Sequence, residues 1–526
     1  MRLFPQLLLS LTWLVTRSQG AAVADPSSKQ DLNKTFSSQN VAWSHPDILS
    51  FPGSEEFTNA TWRWDVYSPP TYRAAITPLS EDDVVNAVKM ATKFKIPFLA
   101  TGGRHGHTTT LANLKNGLAI DLSQLKDVKV DKKAGTLTIG PGVLFADIFD
   151  PVYEAGYQIT TGSCSCVGMT GAGLGAGVGR LQGLEGLMID AVQSVRIVTA
   201  DGKVLEASEE SNADLFWGIR GAGANFGVIV STTFKLQPLY NDGVWTTADL
   251  IFPGDRNVSY FDLLDKLHPL PPQLTIETIM SYNSTLKQVS HIHHMPSTKN
   301  TSSDVVINHK PQLMVSVVYA GYQEETLEVM KPILSLHPTY QTIKEITWNR
   351  MSYESSFGLD QPSWCVNGNL YANYGVNLRN NSVATWRENY DKLAKFWADT
   401  PEAQSSVVVF ETWSIQGTVA IPDDRTAYPW RDATTYVMLQ MRWDPQSPNA
   451  AAVSAAATEM ARELRSKYAA TSGYGGLTVY INYAIGDEKI EEVYGRAKLP
   501  RLAGLKKKYD PDNVFGFNTP LPTEYP

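Results

Sequence analysis

Residues 162–179 read Gly-Ser-Cys-Ser-Cys-Val-Gly-Met-Thr-Gly-Ala-Gly-Leu-Gly-Ala-Gly-Val-Gly, seven glycines in eighteen positions. Each glycine forfeits side-chain packing and costs chain entropy, so no regular helix or strand carries that density cheaply. Such a stretch is expected where something large must come close to the backbone. Upstream, Ala100-Thr-Gly-Gly-Arg-His-Gly-His107 follows the apolar run Ile96-Pro-Phe-Leu-Ala. This predicts a short strand and a tight turn whose N–H groups converge on an anion such as a pyrophosphate. A nicotinamide-type site is the formal rival: Gly171, Gly173 and Ala176 fit G-x-G-x-x-A, and Asp190 follows at about the expected 20-residue interval. That fingerprint needs an apolar strand running into its first glycine, and Cys166-Val-Gly-Met-Thr170 is a poor one. The phosphate loop G-x-x-x-x-G-K-[ST] is absent.

Outward from these loops, Ser80-Glu-Asp-Asp caps a helix whose Val84, Val85, Ala87, Val88 and Ala91 recur at helical spacing. Leu118–Leu122, Val128–Val130, Thr136–Ile139 and Val192–Thr199 read as strands, and Phe145–Ala155 as a helix. Beyond Leu239, the strand Leu313–Tyr319 alternates with helices over Glu324–Leu336, Ser382–Trp397 and Ala450–Tyr468, which predicts a second α+β domain on an antiparallel sheet. The last segment opens with a predicted strand, Leu477-Thr-Val-Tyr-Ile-Asn-Tyr483, and ends in a basic helix whose Lys506-Lys-Lys508 reads as a solvated face. The expected plan is a signal peptide over 1–20, an irregular lead-in over 21–66, a first domain over 67–238, a substrate domain over 239–476, and a segment over 477–526 returning to the first domain.

The chain has 526 residues, with 45 Lys+Arg against 53 Asp+Glu and a net charge of −8, which argues against a broad nucleic-acid footprint. Met1-Arg-Leu3, the apolar run Leu7–Val15 and the small residues Ser18 and Gly20 read as a signal peptide. The run is shorter than the roughly 20 residues a membrane anchor needs, so a secreted or secretory-lumen protein without a membrane span is expected. Sequons at Asn33, Asn59, Asn257, Asn283, Asn300 and Asn380 fit N-glycans on such a chain. Three cysteines, Cys164, Cys166 and Cys365, leave one sulfur unpaired in an oxidising compartment. His291-Ile-His293-His294 has metal-like spacing but no acidic or thiol partner nearby, so no metal site is expected.

Taken together, Gly102-Gly-Arg-His-Gly106, the Gly162–Gly168 loop, the glycine run, Gly186-Leu-Met-Ile-Asp190, Asp214-Leu-Phe-Trp-Gly-Ile-Arg-Gly-Ala-Gly-Ala-Asn-Phe-Gly-Val-Ile229, Tyr480-Ile-Asn-Tyr483 and Lys508-Tyr-Asp-Pro-Asp-Asn-Val-Phe515 resemble the berberine bridge enzyme-like flavin oxidoreductases, above all their secreted fungal members of secondary metabolism. The likeness spans about residues 67 to 520 and is thinnest in the middle. It implies an α+β fold: a two-subdomain FAD-binding domain of the vanillyl-alcohol oxidase (PCMH) type, plus an α+β substrate domain with an antiparallel sheet. It also implies FAD joined covalently to His105, with His107 as the alternative. Arg104 departs from the family pattern, where a small residue, often Gly, is usual. Cys164 matches the position that in bicovalent members also bonds the flavin; the alternative, attachment through His105 alone with Cys166 or Cys365 unpaired, stays open.

By the same resemblance Thr101, Gly102, Gly103, Arg104 and Gly106 contact FAD around His105. Val167, Gly168, Gly171, Gly173, Leu174, Gly175, Gly177 and Gly179 contact it from the glycine run, with Asp190, Gly227, Ile229 and Asn482 elsewhere. Tyr483 is the implied base, with Tyr480 beside it. A tyrosine of pKa about 10 needs a nearby cation or polar network to serve at neutral pH. In a regular strand Tyr480, Asn482 and Tyr483 cannot all face one way, so a twist or bulge is required. The implied function is two-electron oxidation of a small organic substrate, with or without ring closure, and with O2 as acceptor. An oligosaccharide oxidase of the same fold and a flavin-retaining scaffold without redox turnover are the alternatives.

Overall fold

The computed structural model describes residues 41–282 and 310–526, together with Leu32 and Phe36. The expected signal peptide, the sequons at Asn33, Asn283 and Asn300, and the His291–His294 cluster lie outside the described residues. The chain folds as α+β. Strands β1 (Leu49–Ser50), β2 (Tyr72–Ile76), β3 (Phe98–Thr101) and β4 (Gly117–Asp121) form a sheet of order β1-β2-β4-β3, in which β2 and β3 run parallel to β4. The helix Glu81–Lys93 covers it. Ser80 and Asp83 close a capping box at its start, and Val84, Val85, Ala87, Val88 and Ala91 are buried, one apolar stripe facing the sheet.

Strands β5 (Val128–Asp131), β6 (Thr136–Ile139), β8 (Val192–Val198), β9 (Val204–Ser208) and β10 (Val228–Lys235) build an antiparallel sheet of order β5-β6-β10-β8-β9. A short pair, β7 (Tyr157–Gln158) and β11 (Gln237–Pro238), closes this half. A seven-stranded antiparallel sheet follows, made of β12 (Val244–Pro253), β13 (Leu274–Tyr282), β14 (Pro311–Tyr319), β15 (Tyr340–Thr347), β16 (Ala372–Leu378), β17 (Val407–Trp413) and β18 (Thr435–Met441), in the order β15-β12-β14-β13-β17-β18-β16. Side chains alternate faces along a strand. Ile276 and Met280 of β13 and Val408 and Phe410 of β17 therefore enter a core with the helices Asn257–Lys266, Val383–Asp399 and Ala450–Ala470. Glu277, Ile279, Val409 and Glu411 point the other way, into a cavity.

The C-terminal segment returns to the first half, where Val479, Leu499, Leu502, Leu505 and Leu521 share a core with Ile197, Phe216 and Phe226. Two expectations change here. Leu477–Tyr483 is not a strand. Its hydrogen bonds go to scattered partners, Asn377 N to Thr478 O, Val479 N to Glu492 O and Tyr480 N to Asn377 Oδ1, and Ile481–Tyr483 coil into a 3₁₀ turn. Lys506 is not solvated either. It is fully buried against Asp510 at 2.7 Å and donates to the carbonyls of Asn225 and Phe515, joining the last helix to the loop before β10.

Candidate active site

The two glycine-rich loops meet. A Cβ on Gly103 would lie 2.4 Å from the Gly168 nitrogen, and one on Gly168 would lie 2.7 Å from the Gly103 nitrogen, so neither position admits a side chain without parting the loops. Their junction lines a cavity of about 430 Å³ whose far wall is the open face of the seven-stranded sheet. Thr101, Gly102, Gly103, Arg104, His105 and Gly106 all lie on its surface. Val167, Gly168, Gly171, Leu174, Gly175 and Gly177 follow from the glycine run, and Gly227 and Ile229 from the start of β10.

Three expected cofactor residues are elsewhere. Gly179 is needed for packing, since a Cβ would meet the Thr161 carbonyl oxygen at 2.1 Å, while one on Gly173 would meet the movable end of Met188, Cε, at 2.4 Å. Asp190 is off the cavity wall. Its carboxylate accepts from Leu187 N at 2.9 Å and pairs with Arg431 at 2.7 Å, a cap and ion pair rather than a ribose contact.

Arg104 takes the left-handed conformation, φ 58°, that disfavours side chains with a Cβ. It is held there by Asp121 at 2.7 Å, by the Ala60 carbonyl at 3.2 Å and by stacking 4.4 Å over the Trp62 ring. The following His105 stacks on Trp64, centroids 5.0 Å apart, and Trp64 stacks on Tyr371 at 4.6 Å. Burial, with His107 and Arg63 nearby, lowers the His105 pKa to about 3; burial lowers that of His107 to about 4 despite its bond to the Tyr483 backbone. Both imidazoles are thus neutral, with a lone pair free for bond formation. Cys166 and Cys365 form a disulfide, leaving Cys164 as the free thiol on the cavity wall. Burial, reinforced by Asp360, Glu277 and Glu411, pushes that thiol up. Beside it Ser165 donates to Asp360 from both its backbone nitrogen and its hydroxyl, at 2.8 and 2.6 Å, so the disulfide-bearing loop is clamped twice to the half that carries the seven-stranded sheet.

The expected catalytic residues are brought together by the 3₁₀ turn, which places Tyr480, Asn482 and Tyr483 on one cavity wall. The Tyr480 hydroxyl accepts from Gly177 N at 3.2 Å and from Asn482 Nδ2 at 2.6 Å, and Asn482 also donates to the Ala172 carbonyl. Tyr483 donates to Glu411 Oε2 at 2.6 Å. A cation that would lower the Tyr483 pKa is not what stands there: burial and the neighbouring Glu411 carboxylate push it up. Glu411 in turn is raised to about 8, by burial first and then by Glu277. Glu277 stands directly opposite it across β13 and β17 and is paired with Arg180 at 2.7 Å. Glu411 and Glu277 were not among the expected residues. Their signal is a lone acid inside an otherwise apolar or hydroxyl strand, Val-Val-Val-Phe-Glu411-Thr-Trp and Leu-Thr-Ile-Glu277-Thr-Ile-Met, since a buried unpaired carboxylate is expensive.

The fit to FAD rests on polar atoms the protein leaves unpaired. Arg63 Nη1, Arg104 Nε, His107 Nε2, Ser163 Oγ and Thr170 Oγ1 are buried without a hydrogen-bond partner, and all five residues line the cavity. Buried polar groups are nearly always satisfied, so this wall is built for a polar ligand. A Cβ on Gly171 would meet nothing within 4 Å, which leaves backbone open to it. With two neutral imidazoles and a free thiol alongside, the residues fit the flavin. Among the described residues no group of three or more His, Cys, Asp or Glu could hold a metal ion, and no helix is long and apolar enough to cross a membrane.

Residues 72–208 match the FAD binding domain family, and residues 479–522 match the berberine and berberine-like family. An FAD-linked oxidoreductase of Pyricularia oryzae is 52% identical over 482 residues, 91% of this chain and 90% of its own. Another, of Neurospora crassa, is 53% identical over 498 residues, 94% of each chain. Among solved structures, a chitooligosaccharide oxidase has a TM-score of 0.77 at 20% identity, covering 94% of this chain and 99% of that one. The glucooligosaccharide oxidase from Acremonium strictum, described with a 6-S-cysteinyl, 8α-N1-histidyl FAD, has a TM-score of 0.77 at 18% identity, covering 94% and 100%. At these identities the solved structures share the fold.

Proposed function

Because this chain belongs to the berberine-like family of FAD-linked oxidoreductases, we propose that it is a secreted, glycosylated oxidase that removes two electrons from a small organic alcohol of secondary metabolism and passes them to O2. The observation that carries this is the 2.6 Å Tyr483–Glu411 pair on the wall of the cavity that also holds His105, His107 and Cys164. His105, and with it Cys164, would hold FAD covalently, and the bound flavin would supply the two-electron oxidation chemistry with O2 as the final acceptor. The chain's own residues manage the proton. Tyr483 Oη takes the proton of the substrate hydroxyl while its own passes to Glu411 Oε2, so an ionised Glu411 makes a tyrosine of raised pKa a competent base. Arg180 holds the neighbouring Glu277 by an ion pair, which limits the negative charge around Glu411. Tyr480, fixed by Gly177 N and Asn482 Nδ2, orients the turn and holds Tyr483 in place.

The chain then comprises an FAD-binding domain over 67–238, a substrate domain over 239–476, and a segment over 477–526 that completes the first. Secretion is supported by the apolar leader and the sequons and by a disulfide, a bond of oxidising compartments. Glycans are assigned to the exposed Asn59 and Asn380 and to Asn33, Asn283 and Asn300. Asn257 is withdrawn from that set, because it is buried and its amide already donates to Gly254 O at 2.7 Å.

The test is acid precipitation of the secreted protein, followed by mass spectrometry of the peptides bearing His105 and Cys164 and a peroxide assay over alcohols. Yellow colour in the pellet, a flavin mass on both peptides and peroxide release are expected. A flavin on His105 alone removes Cys164 from the attachment, and a colourless protein overturns the proposal.

A further inference from the structure

The open face of the seven-stranded sheet changes character along its length. At one end stand Glu277, Glu411 and Tyr483. Two residues on along the strands, the same face presents Ile279, Met314, Val409 and Met438, an apolar cluster whose members line the cavity. Beyond them the lining turns polar again at Gln440 and Arg442. Tyr436 of β18 pairs with Glu411 of β17, and Arg442 is six residues further along the chain, so about 20 Å of strand separates the two polar ends.

Arg442 stands out on this face, as Arg63, whose Nη1 is buried without a partner, does at the glycine loops. Arg104, Arg180, Arg220, Arg431 and Arg465, all buried, each hold a carboxylate at 2.7 to 3.0 Å. Among the described residues, no carboxylate is paired with Arg442. Its guanidinium lies 4.3 Å over the Tyr371 ring and donates to Gln440 Oε1 at 2.7 Å, while Nε is buried without a partner. Arg442 is half-buried, and a guanidinium partly removed from water and denied a carboxylate is costly to the fold. It is also a fork shaped for a bidentate carboxylate.

We propose that the cavity selects an amphiphilic hydroxy acid. Its oxidisable alcohol sits at Tyr483 and Glu411, its apolar body lies on Ile279, Met314, Val409 and Met438, and its carboxylate is bound by Arg442. This rests on the oxidase reading for the reaction itself: the alcohol becomes an aldehyde, its carbon-bound hydride goes to FAD and its hydroxyl proton to Tyr483. It differs from a carbohydrate site, which would need polar partners along the middle of the wall where this protein has methionine and branched aliphatic side chains.

Flavin-loaded enzyme is titrated with ω-phenylalkanoic acids of increasing chain length and with their methyl esters, none of which can be oxidised at an alcohol, and binding is read from the shift in flavin absorbance. The acids are expected to bind at least tenfold more tightly than the esters. Affinity should rise roughly fourfold per added methylene until the carboxylate reaches Arg442. Arg442→Gln brings acid affinity down to that of the ester, and Arg442→Lys keeps part of the difference. Equal binding of acid and ester by the unaltered enzyme, or a preference that survives Arg442→Gln, overturns the assignment. The two readings fail separately. Peroxide release from neutral alcohols without acid preference leaves the oxidase and removes the anchor; acid preference without turnover of any (hydroxymethyl)phenylalkanoate leaves the anchor and removes the oxidase.

Discussion

Glu411→Gln should stabilise the protein while disabling it. Burial raises the Glu411 carboxyl from 4.5 to about 8. A raised carboxylate favours folding in its protonated form, so its contribution is fullest below pH 4.5 and is lost as pH climbs through 8. At 1.36 kcal/mol per pKa unit the whole displacement is worth about 5 kcal/mol. The glutamine variant carries no such penalty and still offers Tyr483 an acceptor oxygen at the 2.6 Å position. Linkage then makes the variant more stable than the parent by about 1 kcal/mol at pH 5 and about 5 kcal/mol at pH 9. Thermal unfolding of both proteins across that range should show a Tm difference that widens with pH. Turnover of the parent should rise through pH 8 as Glu411 ionises, and the variant should lose that limb together with a factor of about 10² to 10⁴ in kcat. A Tm difference that stays constant from pH 5 to 9 would refute a carboxyl raised by burial, and a rising limb retained in the variant would remove Glu411 as the proton acceptor.

Tyr483→Phe removes the group that touches the substrate hydroxyl and should cost kcat about 10² to 10⁴ while the pellet after acid precipitation stays yellow; a smaller loss means another base acts. Arg104→Gly relieves a left-handed backbone worth about 1 kcal/mol but strands Asp121, a loss of about 3 to 5 kcal/mol, so chemical denaturation should show net destabilisation; a gain would mean that strain outweighs the ion pair. Lys506→Met should cost about 3 to 5 kcal/mol because it leaves the buried Asp510 carboxylate without its cation, held only by Val514 N and Phe515 N, whereas Lys507→Met, on an exposed pair with Glu524, should stay within about 0.5 kcal/mol. Cys166→Ser opens a disulfide spanning 199 residues and should cost about 2 to 5 kcal/mol in denaturant titrations, a difference that disappears when both proteins are compared reduced.

The loops around His105 and Cys164 were legible in the sequence because close approach of two backbones admits only glycine, and that demand is written at single positions such as Gly103 and Gly168. The capped helix after Ser80 was legible for the same reason, since a cap and an apolar stripe are local. Leu477–Tyr483 misled because β-branched and aromatic alternation resembles a strand, yet beside the edge strand β16 it makes one backbone bond, Asn377 N to Thr478 O, and then coils into a 3₁₀ turn instead of continuing a ladder. Asp190, expected at FAD from the Gly186–Asp190 motif, lies off the cavity because Arg431, 241 residues away, claims its carboxylate. Lys506 misled because three successive lysines look solvated, and only the helix's docking against Asn225 decides which of them turns inward.

The α+β class, the glycine loops and the family are readable from the chain alone, because they depend on residues near one another in it or on motif order. The tertiary structure alone decided which cysteine stays free, because pairing depends on bringing residue 365 beside residue 166. It alone placed Glu411 under Tyr483 across 72 residues and set Arg442 at the far end of an apolar wall. A lone acid or base in a strand has no local signature of its role; its pKa and its partner are properties of the burial and the neighbours that folding assembles around it.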